Sequence, residues 1–263
     1  MPFLALCGCG EDDENNDAAE TFNGINAYRF YYADYPQGTS RFGQSNAAVY
    51  YEGNKVVKLT GGFMNMDQAS GFSYFFDANA YKEISYSAAT ATIVNKLNSA
   101  TLTVAEKKQI VYFLSDGKID YKVKFDDEYP EHRDTIYYSY ENNLLKSLET
   151  YNRRLIERRD IFYNAAADVD SIVTRNLDYD EHGVAYFDPQ NKERKVRRFL
   201  NFDNMPNPFQ RLMMFDETFH RSLSAHNYDK WEEFVYDYDG HEIGNSFEQW
   251  TFIRENGIIN FAL

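Results

Sequence analysis

Apolar and polar residues alternate along most of this chain, and each alternating run stops at a turn signal. Val49-Tyr50-Tyr51 passes through Glu52-Gly53-Asn54-Lys55 into Val56-Val57-Lys58-Leu59. Ile110 to Leu114 meets Ser115-Asp116-Gly117-Lys118 and resumes as Ile119-Asp120-Tyr121-Lys122-Val123. Thr135 to Tyr140 breaks at Glu141-Asn142-Asn143 before Leu144 to Leu148. Further breaks fall at Asp180-Glu181-His182-Gly183, Asp239-Gly240-His241 and Asn256-Gly257. A period of two puts successive side chains on opposite faces of a strand, and Asp-Gly or Asn-Gly between two such runs supplies the positive φ of a tight hairpin turn. Consecutive hairpins make a meander. The pattern predicts an all-β protein: an antiparallel meander of hairpins forming a strongly curved sheet or partly open barrel, with one or two short helices.

Helical spacing is rare. Thr103-Val104-Ala105-Glu106 matches a capping box and predicts a short helix from Val104 to Gln109. Pro208 at a first-turn position, followed by Phe209, Leu212, Met213 and Phe215, predicts another. Asn201 to Phe209, just before it, reads as a loop. The stretch from Asn23 to Gly71 follows the hairpin pattern least closely. The spacing of hairpins is irregular, which excludes a strict solenoid.

Composition strengthens the strand reading and narrows function. Tyr and Phe number 22 and 21 in 263 residues, and such rings favour pleated surfaces where they pair across strands. The net charge is −14, which argues against nucleic-acid binding, since that needs a basic footprint. No apolar run reaches the ~18 residues of a membrane-spanning helix. No Pro/Gly/Ser-rich linker interrupts the body, so a single antiparallel β domain is expected over 21–263, after a leader and tether over 1–20.

Both cysteines, Cys7 and Cys9, lie in the leader, so the body carries no disulfide, thiolate nucleophile or cysteine-based zinc site. Phe3 to Leu6 supply only the end of an apolar h-region with no Lys or Arg before it, so a fuller leader is expected upstream. Leu6-Cys7-Gly8-Cys9 resembles the lipobox of bacterial lipoproteins, in which a cysteine is acylated and becomes the mature N-terminus. Cys9 fits better than Cys7, with Gly8 before it and Leu6 three residues back. The resemblance implies lipidation at Cys9 and a membrane partner reached through that lipid. Glu11 to Asp17 is acidic and free of aromatics, the composition of a solvated tether. Directly behind the cysteine, it also resembles the acidic export signal of Bacteroidetes lipoproteins sent to the outer face of the outer membrane.

Lipobox, tether, aromatic meander and the segment Asp203-Asn204-Met205-Pro206-Asn207-Pro208-Phe209 together resemble an uncharacterised Bacteroidetes lipoprotein family with a porin-like sheet of many antiparallel strands. Leu177 to Gly183 and Tyr236 to Gly240 also resemble single tyrosine-aspartate repeats of large shell-forming bacterial proteins. The family resemblance implies the fold and an outer-membrane, cell-surface address, and brings no catalytic residues. Asp134-Thr135-Ile136 and Asp170-Ser171-Ile172 match a short O-glycosylation pattern of exported Bacteroidetes proteins and agree with that address.

Candidate chemistry is sparse. The five histidines include no His-Glu-x-x-His pair. Asp216, Glu217 and His220 would share one face of a helix, but they supply a single Glu-x-x-His where bundle metal sites use two. Asp178-x-Asp180-x-His182-Gly183 begins like a calcium loop, yet its fifth position is His, and Pro189 stands where a bidentate Glu is required. No metal and no other cofactor is expected. No Gly-x-Ser-x-Gly elbow or phosphate-binding glycine loop occurs, and no residue is marked as catalytic.

The basic residues are distributed unevenly. Arg153, Arg154, Arg158 and Arg159 cluster in one expected strand, and Lys192, Arg194, Lys195, Arg197 and Arg198 in another. Neighbouring in the sheet, they would form a cationic patch able to meet an anionic glycan or lipid headgroup through bidentate arginine contacts. Their other use is cross-strand pairing with the abundant Asp and Glu. The functional expectation is a non-enzymatic, lipid-anchored surface protein with a binding or structural role, glycan-binding through the patch or through aromatics on a concave face. Two rivals stand beside it. A carbohydrate-active hydrolase needs a cleft with two carboxylates about 5–9 Å apart. A carrier of an apolar ligand needs a half-open barrel with a dry pocket lined by Phe and Leu.

Overall fold

The computed structural model describes residues 24–34, 46–68, 71–97, 108–125, 133–152, 154–186 and 188–263. Cys9, the acidic tether, the capping box at Thr103, His132 and Arg153 lie outside the described residues.

The chain is all-β, as its alternation requires. In order the strands are β1 (Ala27–Arg29), β2 (Asn46–Glu52), β3 (Lys55–Gln68), β4 (Gly71–Tyr86), β5 (Thr90–Leu97), β6 (Lys108–Phe113), β7 (Ile119–Phe125), β8 (Arg133–Glu141), β9 (Leu144–Asn152), β10 (Arg154–Tyr163) and β11 (Val169–Asn176). Then come β12 (Asp178–Tyr179), β13 (Ala185–Tyr186), β14 (Arg194–Pro206), β15 (His226–Tyr236), β16 (Glu242–Gln249), β17 (Arg254–Glu255) and β18 (Ile258–Ile259). Fourteen strands make one antiparallel meander in strict chain order, β1 to β11 followed by β14, β15 and β16. β12–β13 and β17–β18 are separate two-stranded ribbons.

The six turns read from the sequence all join paired strands. At Asn142-Asn143 both central residues have positive φ, 50° and 65°, and at Asn256-Gly257 the values are 52° and 83°. These are the twist-matched turns that Asn and Gly favour. Among the hairpins whose turns are fully described, two carry no such signal: β4–β5 turns through Ser87 to Ala89, and β10–β11 through Asn164 to Asp168. Asn201 to Phe209 is not a loop throughout. β14 continues to Pro206, which pairs His226, after a register shift beyond Phe202.

The connection 207–225 is the main departure from a plain meander. It holds a 3-10 turn at Pro208–Leu212, another at Asp216–Thr218, and the short helix α1 (Phe219–Ser222). Asn207 ties it together: its side chain accepts from Phe209 N at 3.0 Å and donates to Arg221 O at 2.6 Å and Ser224 O at 2.9 Å. Glu217 meets Lys82 on β4, Asp216 meets Lys122 on β7, Phe219 packs on Tyr138 of β8, and His220 meets Arg197 on β14. β4 and β14 stand eight strands apart in the sheet, a span of about 38 Å if it were flat. A few residues of helix touch both, so the sheet curls around this connection as around a plug.

The curl brings the ends of the sheet close without closing it. Among the described residues β1 and β16 share no ladder. The gap is bridged by Arg29 N donating to Phe261 O at 2.6 Å and by Tyr32 packing on Trp250, Phe252 and Phe261. Tyr28, Tyr32, Phe209, Leu212, Phe215 and Tyr228 are fully buried, and the Phe and Leu side chains among them contribute roughly 1.5–3 kcal/mol each by burial.

Strand parity then decides which side chains enter. Tyr138 is buried while its neighbour Tyr137 is exposed, and Ile161 is buried while Phe162 is exposed. The outer face is aromatic and charged. Tyr112, Tyr121, Tyr137 and Tyr151 form a ring-to-ring row across β6 to β9, and Arg158 bridges Glu149 and Asp160 beside it.

Candidate functional site

Five hairpin turns, β2–β3, β4–β5, β6–β7, β8–β9 and β10–β11, point to the same end of the sheet, as alternate turns of a meander must. The plug enters from that end, because β14 runs toward it. Among the described residues a cavity of about 720 Å³ borders the plug at Pro208, and two more lie between plug and sheet.

The first of these two, about 510 Å³, lies at the turn end. Its wall is largely apolar: Val56, Phe113, Ile119, Leu145, Met213 and Leu223 contribute, with the rings of Tyr86, Tyr140 and Tyr163. Tyr86 donates its hydroxyl to Val56 O at 2.9 Å. Burial pushes Tyr86 and Tyr163 up to about 12 and raises Tyr140 as well. Lys55, Lys118 and Arg211 stand in the same lining.

The second, about 300 Å³, lies deeper, on the far side of the plug. Lys122 and Lys124 reach it from β7, Arg159 from β10, Arg197 from β14, and Asp216 and His220 from the plug, with Asp34 opposite. Lys122 is only 1% exposed and bonds Asp216 at 2.5 Å and Met214 O at 3.4 Å. Lys124 bonds the other Asp216 oxygen at 2.7 Å. Partial burial alone would raise the Asp216 carboxyl, but the two lysines hold it well below the usual range. Burial likewise opposes ionisation of Asp34, yet His220, donating its backbone N–H at 2.7 Å, and the Arg197 charge hold that carboxyl low too. Burial lowers His220 itself, against the pull of Asp34.

Arg221 ties the plug to the residues that bridge the two edges of the sheet. It is wholly buried, donating to Tyr32 O at 3.0 Å and Tyr228 O at 3.1 Å. Its guanidinium lies 4.3 Å from the Tyr228 ring centroid and 4.6 Å from that of Trp250, with Tyr32 and Phe209 completing an aromatic cage.

The residues singled out from sequence separate by face. Arg159 and Arg197 come together in the ionic cavity. Arg159 donates to Glu157 at 2.7 Å, and Arg197 makes a two-pronged contact with one oxygen of Glu233 at 2.7 and 3.1 Å. Arg158 faces outward to Glu149 and Asp160. Arg194 and Arg198 lie over Tyr236 and Phe234. Lys195 is exposed on β14, and of Arg154 only the backbone, paired with Asn152, is described. Asp216 and His220 line the same cavity while Glu217 turns away to Lys82, and each of the three bonds a different strand or segment. Asp180 spends its carboxylate on its own turn, accepting from His182 N and Val184 N. Lys122, Lys124 and Arg221 carried no sequence signal, because a single cation inside an apolar run does not say which way it points.

No family model and no curated protein matches the chain. Among solved structures it is similar to a porin-like protein from Bacteroides uniformis, at 12% identity and a TM-score of 0.49, over 81% of this chain and 79% of that one.

Proposed function

We propose that this chain is a non-enzymatic, lipid-anchored protein of the bacterial outer surface that carries an apolar ligand inside its half-open barrel. The observation that carries the reading is the turn-end cavity. Its volume of about 510 Å³ falls in the range of small-molecule sites, roughly 300–1,000 Å³, and its wall is chiefly aliphatic and aromatic. The hydrolase reading finds less support. Glycoside hydrolysis needs one carboxyl kept protonated as the acid, whereas Asp34 and Asp216, the two that face one cavity, are both held ionised.

The outer face supports attachment by lipid rather than by immersion of the sheet. A membrane barrel turns an apolar band outward, but here Arg158, Glu149, Asp160 and Arg175 pair on that face. Anchoring then falls to Cys9, and the mass of the natively expressed chain should include acyl groups that Cys9→Ala removes. The carrier reading is tested with a neutral naphthylamine fluorophore added to the full chain. Saturable one-to-one binding is expected, lost when Met213→Trp fills the cavity; absence of binding to the folded wild type overturns it.

A further inference from the structure

We infer that the ligand of the turn-end cavity is a single-chain amphiphile with an anionic head, carboxylate or phosphate, lying tail inward with its head against Lys55, Lys118 and Arg211; this rests on the carrier reading above. The chain has 41 Asp and Glu against 27 Lys and Arg, yet among the described residues the charged ones lining this cavity are three cations and no carboxylate. They come from separate places. Lys55 opens β3 after the β2–β3 turn, Lys118 ends the β6–β7 turn, and Arg211 belongs to the plug's first 3-10 turn. A cluster of one sign at the rim of an apolar cavity, on a chain biased to the other sign, selects a guest with an anionic head and an apolar body.

The cations are held at the rim by the cavity's own rings. Lys55 Nζ sits 5.0 Å from the Tyr86 ring centroid, and Lys118 Nζ 5.5 Å from that of Tyr140. Cation–π contact fixes an ammonium without neutralising it. Lys118 also pairs with Asp116 at 2.8 Å, and both partners are partly exposed, at 27% and 50%. An exposed pair of this kind contributes little, so an incoming head can share the ammonium. Arg211 donates to Asn54 O at 3.4 Å, which places its guanidinium beside the β2–β3 turn that carries Lys55. Beneath the rim, Val56, Ile119, Leu145 and Leu223 offer the tail a surface that needs no hydrogen bonds.

The test is calorimetric titration of the full chain with dodecanoate, dodecyl phosphate and dodecanol, each below its micelle concentration. One or both anions should bind at least about tenfold tighter than the alcohol. The better of the two names the source, a fatty acid or a phospholipid-type head. The Lys55→Gln/Lys118→Gln/Arg211→Gln variant should bring the ratio of anion to alcohol affinity close to one, with a cooperative melting transition showing that it is folded; a folded variant that keeps the wild-type ratio overturns the anionic head. Equal binding of all three by the wild type, abolished by Met213→Trp, overturns the anionic head and leaves the carrier intact. Failure of all three to bind overturns both.

Discussion

Strand β7 passes both cavities within six residues, and its inward side chains change from Ile119 at the turn end to Lys122 and Lys124 beyond the plug. One sheet and one plug thus build two unlike interiors. At the deep end polar groups are matched: Lys122 and Lys124 with Asp216, Arg197 with Glu233, and Asp34 with the backbone N–H of His220. Such contacts are directional, and an unmatched partner there is costly, so they fix one seat for the plug. At the turn end the contacts are apolar and incomplete. The apolar body of a guest can add dispersion contacts to that wall. Polar seat and apolar cavity are divided along the strands rather than between domains.

Removing what the two ends share should cost most. Arg221→Ala deletes a caged cation and leaves two buried carbonyls, those of Tyr32 and Tyr228, without their donor. A loss of about 3–5 kcal/mol is expected in urea unfolding, with fluorophore binding lost at the same time. A loss below about 1 kcal/mol would mean that the plug does not depend on this residue.

The next two variants separate the ends. Lys122→Ala should cost about 3 kcal/mol, at the low end for a broken buried pair, because Asp216 is 45% exposed and keeps Lys124. Fluorophore affinity at the turn end should change less than about twofold. Leu145→Ala, at a side chain 3% exposed, should cost about 2–3 kcal/mol and weaken the fluorophore. The double variant should equal the sum of the two, since distant sites add. A coupling above about 0.5 kcal/mol would show that the plug transmits one end to the other.

How much of this was legible beforehand follows from which forces are local. Asn142-Asn143 and Gly117 announce their turns because positive φ is a property of one or two residues. The β10–β11 turn was silent because Ala167, not Gly or Asn, adopts φ 63° there, held by Asn164, whose side chain accepts from Ala166 N and Asp168 N. The basic clusters were visible as composition, but strand parity sent Arg158 outward and Arg159 inward. The plug's aromatic residues were seen as a short helix after Pro208, and the first turn there is 3-10 rather than α. That this connection lies inside the sheet was not legible at all, because its partners on β4, β7 and β14 are remote in sequence.

The smallest expected effect is a difference in pH response between the ends. Asp34, Asp216 and His220 are all held below their ordinary values at the deep end. The folded chain therefore binds fewer protons than the unfolded chain in acid, and stability falls as pH falls. The His220 contribution is complete above its unfolded value of about 6.5, and those of the carboxylates above about 4. Each is lost as pH drops through the folded value. Tyr86 and Tyr163 at the turn end are raised to about 12. From the ordinary tyrosine value near 10 up to that point the folded chain holds more protons, so stability present below pH ~10 is lost as pH rises. Tyr138 at the deep end is raised as well, so the alkaline limb alone does not discriminate, and the variants must. Tyr86→Phe/Tyr163→Phe should flatten part of the alkaline limb and leave the acid limb in place. His220→Gln should remove the first acid step, just below pH ~6.5, and leave the alkaline limb. If either variant moved both limbs together, the two interiors would be one electrostatic unit and the division along β7 would fail.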